Sequence, residues 1–243
     1  MPSISVVLPA VNEELNIAQT VREAREVLER LTSDFEIIVV DDGSRDGTAE
    51  VVARLIDQES RIRLVQHLVN QGYGAAVWTG ITSATRDLIF YTDSDGQFDL
   101  TELERFLGWI DSADMVIGYR APRSDSPMRL VNAFGWKMVV TLLFGYVARD
   151  IDCAFKLFKR EVLDVIRVES RGATFSAEFL IRARDAGFHI REVHARHLPR
   201  RAGRATGARP DVIIRAFREL LRFWMRHQLG IGQQARPVEQ TTA

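Results

Sequence analysis

The sequence lacks the features that would assign it at once to a special class of protein. It has one cysteine in 243 residues, Cys153, so no internal disulfide can form. A bilayer-spanning helix needs about 20 apolar residues, and the longest uncharged stretch near the middle covers only 138–148. The amino terminus has no basic n-region and only a short apolar run, unlike a secretory leader. No internal repeat is present. We therefore expect a globular, cytoplasmic protein.

The net charge is nearly zero, but the charges are unevenly distributed. The formal total is −1, yet residues 1–121 hold 21 acidic and 10 basic side chains. Residues 122–243 hold 12 acidic and 22 basic side chains. Such asymmetry between halves suggests that the two halves bind different groups. We expect carboxylates that hold a cation in the first half and arginines that bind anions in the second.

Short β-branched runs alternate with segments of helical spacing through the first half. The runs are at 4–8, 35–40, 62–67, 88–92 and 114–117, and the helical segments at 13–31, 46–58, 74–85 and 101–110. This alternation predicts βαβ units, hence an α/β fold with a mostly parallel central sheet flanked by helices. The runs are almost continuously apolar, which is typical of strands covered on both faces.

The second half has a different pattern. It predicts a long apolar helix, a short strand or turn, a second helix, an extended segment, a basic loop and a basic helix, at 127–147, 155–158, 175–186, 189–197, 199–210 and 211–228. We expect residues 1–228 to form one domain, and residues 229–243 to be a flexible tail.

Polar residues follow four of the predicted strands, at 9–14, 41–44, 93–97 and 118–120. In open parallel sheets, ligands bind outside the carboxyl ends of the strands. We therefore expect one crevice at that edge. Within it, Asp93 and Asp95 can share one divalent cation, and two oxygen ligands suit Mg²⁺ or Mn²⁺ that bridges to phosphates. An Asp-x-Asp pair alone is also typical of a solvated turn, but its place after an apolar run favours the metal.

Three other interpretations stay open. An aspartyl phosphatase also carries Asp-x-Asp after an apolar strand, although Gln97 stands where such enzymes usually have Thr. A calcium loop that starts at Asp42 would have Ala53 at its twelfth position, which cannot supply a carboxylate. A dinucleotide-binding turn at 72–77 would end in Val77 rather than a small residue.

Several motifs together resemble glycosyltransferase family 2. They are PAVNEE, VVDDGSRDGT, NQGYGAAVWTG, TDSDGQFD and GYR, at 9–14, 39–48, 70–80, 92–99 and 118–120. Residues 150–160, 175–179 and 197–207 resemble the dolichol-phosphate mannosyltransferase branch, and the resemblance covers about 3–225. It implies a GT-A fold with a Rossmann-like nucleotide-binding half at 1–121 and an acceptor-binding half at 122–228. It also implies a nucleotide-sugar donor, a divalent metal and inversion at the anomeric carbon.

The resemblance implies roles for individual residues. The catalytic set is Asp93, Asp95, Arg120 and Arg200, and the metal set is Asp93, Asp95 and Gln97. The nucleotide-sugar set is Pro9, Val11, Glu13, Val40, Asp42, Ser94 and Gln97. Candidates for the acceptor site are Arg129, Asp152, Arg201 and Arg204. Two positions depart from the family pattern: Val11 is commonly aromatic, and Thr206 is often Lys in this branch. The base-stacking contact is therefore open, and Arg204 is a candidate for the missing charge.

The expected reaction follows from this resemblance. A hexose, mannose from GDP-mannose, would move to a polyprenyl phosphate. The phosphate oxygen of that acceptor is already anionic at pH 7, so we expect a basic acceptor pocket rather than a general base. The alternatives are a UDP-glucose donor, a glycan acceptor, and a nucleotide-sugar-binding protein without turnover.

The last predicted helix is basic and amphipathic. Four arginines recur along 212–226 at spacings of three and four, beside an apolar stripe. Such a helix can lie on an anionic membrane or pack its apolar stripe on the domain. The helix at 127–147 is a second candidate surface. We expect peripheral contact with the inner face of the cell membrane, a separate membrane partner as a further possibility, and no nucleic-acid partner.

Overall fold

A seven-stranded sheet runs through the computed structural model, which describes residues 2–121, 127–202 and 210–231. The strands are β1 Ile4–Ala10, β2 Phe35–Asp41, β3 Ile62–Gln66, β4 Leu88–Thr92, β5 Met115–Arg120, β6 Phe155–Lys159 and β7 Ile190–Ala195. Their order across the sheet is β3-β2-β1-β4-β6-β5-β7. The pairs among β1–β4 are parallel, as is β5 with β7, so the expected mostly parallel sheet is confirmed.

The exception is β6, which pairs antiparallel with both β4 and β5. The sequence pattern predicts only a short strand or turn here, whereas the structure places this strand in the middle of the sheet. Because β6 runs the other way, its first residues lie beside the last residues of β4, with Phe155 opposite Thr92. The turn that precedes β6 therefore joins the edge of the sheet where the polar strand ends lie, and the two halves of the chain share one sheet.

The helices cover both faces of this sheet. They are α1 Ile17–Leu31, α2 Thr48–Ile56, α3 Tyr73–Ser83, α4 Leu103–Leu107, α5 Pro127–Phe144, α6 Val162–Val165, α7 Phe175–Asp185 and α8 Pro210–Gln228, with a 3₁₀ turn at Leu100–Glu102. Every residue of β1, β2 and β4 is buried, as expected for strands covered on both sides. A Cβ on Gly80 of α3 would lie 2.2 Å from Val7, so glycine allows this helix to approach β1 closely.

Two boundaries differ from the sequence pattern. The first strand continues through Pro9, which pairs with Val40. The first helix begins at Ile17 rather than at residue 13, after a turn in which the carbonyl of Glu13 accepts hydrogen bonds from the backbone amides of Asn16 and Ile17. These differences leave residues 11–16 as a loop at the end of β1, next to the loop after β2.

Candidate active site

The loops after β1 and β4 are tied together by a buried serine. Ser94 donates a hydrogen bond from its hydroxyl to the carbonyl of Pro9 at 2.8 Å, and its own carbonyl accepts one from Thr20 at 3.0 Å. Ser94 and Pro9 are both predicted nucleotide-sugar contacts. What the structure shows is that they fix the DSD loop against the end of β1, and their contact with a donor remains a prediction.

The two carboxylates of the DSD loop lie in different surroundings. Asp95 is buried, and it accepts hydrogen bonds from the backbone amide of Gln97 at 3.0 Å and from Arg200 at 3.0 Å. Burial and the neighbouring charge of Asp95 raise the pKa of Asp93 well above its usual range, while the nearby phenol of Tyr73 opposes this rise. A divalent cation between the two carboxylates would relieve their repulsion.

Arg200 bridges the ends of β1 and β4. Its guanidinium contacts Asp95 and Glu13, and its Nε donates to the carbonyl of Ala202 at 2.8 Å. Burial raises the pKa of Glu13, and hydrogen bonds from Asn16 and Arg200 oppose that rise. The guanidinium of Arg200 thus already forms an ion pair with Asp95, one of the predicted metal ligands.

The segment that carries Arg200 crosses the DSD loop. The amide of Leu198 donates to the carbonyl of Gln97 at 2.7 Å, and the side-chain amide of Gln97 donates back to the carbonyl of Leu198 at 3.3 Å. Arg201 pairs with Glu23 of α1 at 2.9 Å. Gln97 therefore holds the crossing segment, and its role as a metal ligand remains a prediction, as does the acceptor contact of Arg201.

Arg120 ends β5 and is held by a carboxylate from the turn before β6. Its Nε and Nη2 donate to Asp150 at 2.6 and 2.7 Å, and its backbone amide to the same carboxylate at 3.2 Å. Burial lowers the pKa of Arg120, but the bonds to Asp150 outweigh it and raise that pKa above its usual range. Arg120 is a permanent cation at the edge of the crevice.

Asp42 has a structural role that the sequence pattern does not reveal. Its buried carboxylate accepts hydrogen bonds from the amides of Gln71 at 2.8 Å and Gly72 at 2.9 Å, and lies 2.7 Å from Nδ1 of His67. It therefore holds the loop that leads into α3. Gly72 has φ +108° and a Cβ there would lie 2.6 Å from a backbone oxygen, so this loop has no space for a side chain. The predicted reading of a base by Asp42 remains a prediction.

Other predicted residues are less centrally placed. The side chain of Val40 is 0% exposed and packs toward α3, and its contact with a nucleotide sugar remains a prediction. Val11 is partly exposed beside Glu13. Asp152 is exposed and acts electrostatically on Arg120 and Tyr73. The side chain of Arg129, and residues Arg204 and Thr206, lie outside the described residues.

Two site residues were missed at the sequence level. Tyr73 belongs to the motif NQGYGAAVWTG, and its position between Gly72 and the predicted helix at 74–85 is a signal that could have identified it. Lys156 is fully buried in β6, and nothing in the sequence distinguishes it from an exposed lysine of a short strand.

The donor set fits a divalent cation that is shared with a substrate. Among the described residues, no three His, Cys, Asp or Glu side chains surround one point. The chain instead offers the two adjacent carboxylates of Asp93 and Asp95. Mg²⁺ commonly takes one or two protein carboxylates and completes its shell with phosphate oxygens and water.

Comparison with known families decides the class of this site. The sequence profile described as Glycosyl transferase family 2 matches residues 5–167. The chain belongs to this family. The expected resemblance to glycosyltransferase family 2 is confirmed.

Three relatives of this family 2 chain are 29–36% identical to it over the aligned residues. The dolichyl-phosphate beta-glucosyltransferase ALG5C of Trichomonas vaginalis is 35% identical over 64% of this chain and 51% of its own length. Glycosyltransferase AglD of Haloferax volcanii is 36% identical over 78% of this chain and 32% of its own length. The undecaprenyl-phosphate 4-deoxy-4-formamido-L-arabinose transferase of Salmonella choleraesuis is 29% identical over 67% and 50%. The chain thus spans about half or less of these three relatives.

Solved structures support the fold. Glucosyl-3-phosphoglycerate synthase from Mycobacterium tuberculosis, crystallised with Mn²⁺, uridine diphosphate and phosphoglyceric acid, superposes with a TM-score of 0.72 at 20% identity. The match covers 92% of this family 2 chain and 78% of that chain. The expected GT-A fold is confirmed.

Proposed function

We propose that this chain catalyses the inverting, metal-dependent transfer of a hexose from a nucleotide sugar to a polyprenyl phosphate. The observation that carries the proposal is the pair Asp93 and Asp95 at the carboxyl end of β4, with the cations Arg120 and Arg200 beside it. Carboxylates for a metal and arginines for phosphates are what a diphosphate leaving group needs. The names of two relatives, a dolichyl-phosphate and an undecaprenyl-phosphate transferase, support the acceptor class.

The donor that we propose to test first is UDP-glucose. The resemblance of residues 150–160, 175–179 and 197–207 to the mannosyltransferase branch favours GDP-mannose, with UDP-glucose as the alternative. The relatives' names mention glucose and formamido-arabinose, and none of those reported mentions mannose. Their names therefore support the alternative, and GDP-mannose follows as the second donor.

The residues of this chain would act on both phosphates. A divalent cation on Asp93 and Asp95 would neutralise charge that develops on the leaving diphosphate. Arg200 would exchange part of its contact with Asp95 and Glu13 for the diphosphate, and Arg120 would remain charged on Asp150 near the acceptor phosphate. Because that phosphate is already anionic, no side chain needs to remove a proton from it.

We further propose that α5 and α8 rest on an anionic membrane. The two helices pack against each other through Phe144 and Phe223, stacked at 5.1 Å. Each helix also exposes apolar side chains spaced by three or four residues, namely Val131, Phe134, Met138 and Leu142 on α5, and Ile214, Phe217, Leu221 and Met225 on α8.

One part of the surface of α8 thus supports packing on the domain, and another part supports contact with a membrane. Leu220 and Phe223 are buried and face the domain, whereas the exposed row on α8 is flanked by Arg215, Arg218 and Arg222. Apolar side chains between arginines are typical of interfacial helices. No helix within the described residues combines the length and hydropathy required to cross a bilayer.

The test of the proposed function is a donor panel. The protein is incubated with Mn²⁺ or Mg²⁺, a polyprenyl phosphate, and labelled UDP-glucose, GDP-mannose or another nucleotide sugar, and label in the lipid phase is counted. Transfer that disappears with a chelator supports the proposal. No lipid label from any donor would refute the acceptor, and phosphate release from a phosphomonoester without a nucleotide sugar would favour the phosphatase.

A further inference from the structure

Lys156 is a charged side chain in the middle of the sheet. It lies on β6, between Tyr91 of β4 and Ile117 of β5, and is 0% exposed. Among the described residues, no carboxylate lies within ion-pair distance of its ammonium. Burial of an ammonium group is costly unless its donors are satisfied. A methionine of similar shape would avoid that cost, so the lysine calls for a physical explanation.

The ammonium of Lys156 is satisfied by backbone oxygens. Its Nζ donates to the carbonyl of Ile151 at 3.2 Å and to that of Cys153, and it lies 5.4 Å from the ring centre of Tyr91. The two carbonyls stand on either side of Asp152. They belong to a turn in which the amide of Cys153 donates to the carbonyl of Asp150 at 3.3 Å.

This turn is anchored at two points. Lys156 holds its backbone from inside the sheet, and Arg120 holds its first side chain, Asp150, through two bonds. With both neighbouring carbonyls turned toward Lys156, the side chain of Asp152 remains exposed. Asp152 stands three residues before Phe155, which lies opposite Thr92, the neighbour of Asp93, and its charge acts on Arg120 and on Tyr73. Asp152 therefore lies at the edge of the sheet where β4 ends and the predicted metal ligand Asp93 follows.

We propose that Lys156 is a positioning residue for glycosyl transfer, which holds the carbonyls of Ile151 and Cys153 so that Asp152 faces the bound substrates. The inference rests on the proposed function, and it assigns Asp152 as the residue through which Lys156 acts. Orientation of a group to within about 1 Å can change a rate by roughly 10²-fold.

The test compares Lys156→Met with Lys159→Met. Both lysines belong to β6, but Lys159 is only half-buried and contacts Asp114 at 3.4 Å. Lys156→Met removes the cost of burying an ammonium group but leaves the carbonyls of Ile151 and Cys153 without their donor, so we expect the variant to fold with a melting temperature somewhat below that of the wild type. We expect its kcat to fall roughly 10- to 100-fold, and Lys159→Met to keep wild-type kcat.

A double-mutant cycle separates positioning from general damage. Asp152→Asn changes an exposed side chain, and we expect it to lower kcat about as much as Lys156→Met. The double variant should lose little beyond Asp152→Asn alone, because residues that act as a unit are not additive. Multiplied losses would overturn the proposal, as would wild-type kcat in Asp152→Asn, whether or not Lys156→Met folds.

The lone cysteine supplies a readout that does not depend on the reaction. Cys153 is fully buried in the same turn, and burial raises the pKa of its thiol to about 12, so it is protected from alkylation. Loss of the Lys156 anchor should let the turn open and speed native-state alkylation roughly tenfold, with no change in Lys159→Met. Unchanged alkylation in Lys156→Met contradicts the anchor. If Lys156→Met is alkylated faster but the wild type transfers no sugar, the proposed function is refuted and the anchoring role of Lys156 is retained.

Discussion

The two halves of the chain contribute differently to the same edge of the sheet. In the first half, carboxylates follow parallel strands, and their loops are held by hydrogen bonds to backbone groups, such as those of Ser94 with Pro9 and of Asp42 with Gly72. The second half contributes cations that reach across. Ion pairs at this edge between a base of the second half and an acid of the first include Arg196–Asp99, Arg200–Asp95, Arg200–Glu13 and Arg201–Glu23.

This difference explains the uneven charge of the sequence. Repulsion among carboxylates at adjacent strand ends would be unfavourable without compensation, and the basic residues of the second half provide it. Within the first half the carboxylates are fixed by backbone donors, whereas across the halves they are bound by side chains that can exchange partners. We expect the first kind of contact to set metal binding and the second to respond to the donor.

The largest effect should come from the first half, at Asp95. Asp95→Asn keeps an acceptor for the amide of Gln97 but loses the charge that a cation requires. We expect transfer to fall by roughly 10³-fold or more, since a catalytic metal contributes several kcal/mol, with an unchanged melting temperature. The matched control is Asp111→Asn, an exposed aspartate elsewhere in the first half, which should keep full activity. Equal activity in both variants would contradict the metal assignment.

A smaller effect, on both kcat and metal affinity, should come from the second half, at Arg200. Arg200→Met removes a cation from Asp95 and Glu13. We expect kcat to fall roughly 10²-fold. We also expect Mn²⁺ to bind more tightly without a donor, by about fivefold, because a competing charge worth about 1 kcal/mol at a solvated site has gone.

Electron paramagnetic resonance of Mn²⁺ measures that affinity directly. Arg201→Met is the matched control, because the neighbouring guanidinium pairs with Glu23 instead. Weaker Mn²⁺ binding in Arg200→Met would show that Arg200 supports the metal rather than competes with it.

The fold was predictable wherever a pattern extended over several residues. Alternation of apolar runs and helical segments predicted the parallel strands, and the strand ends placed Asp93 and Asp95. Lys156 could not be found in this way, because its burial depends on β6 lying between β4 and β5, and a five-residue strand carries no signal of its neighbours. The role of Asp42 was hidden for a similar reason. Its partners are backbone amides about 30 residues away, which have no side-chain signature.

Glu36, which is buried, and Glu219, which is partly buried, allow the two halves to be compared by the pH dependence of stability. Burial alone would raise the pKa of Glu36, but hydrogen bonds from Ser5 and Thr85 and the contact with Arg63 lower it to about 2. A lowered pKa means stability that is present above about pH 4.5 and lost as pH falls toward 2. In the second half, burial raises the pKa of Glu219 despite a bond from Gly172, so its ionisation opposes folding as pH rises above its ordinary value.

We expect Glu36→Gln to reduce the free energy of unfolding at pH 7 by of order 2 kcal/mol, and by much less near pH 2.5. Glu219→Gln should cost nothing at pH 7, because its amide oxygen can still accept from Gly172. Urea unfolding at both pH values measures this. A loss in Glu36→Gln that is equally large at both would contradict the pKa assignment.

The smallest expected effect concerns exposed apolar side chains, which are distributed differently in the two halves of the chain. In the first half Leu68 is 100% exposed on a loop, whereas in the second half Leu142 and Leu221 belong to the exposed rows of α5 and α8. If those rows rest on lipid, a charge placed in them should weaken binding to anionic vesicles, by about tenfold for roughly 1.4 kcal/mol. Co-sedimentation with phosphatidylglycerol vesicles compares Leu142→Asp and Leu221→Asp with Leu68→Asp. Equal binding of all three would remove the membrane face, and binding that persists on neutral vesicles would show that the arginines beside Leu221 do not contribute.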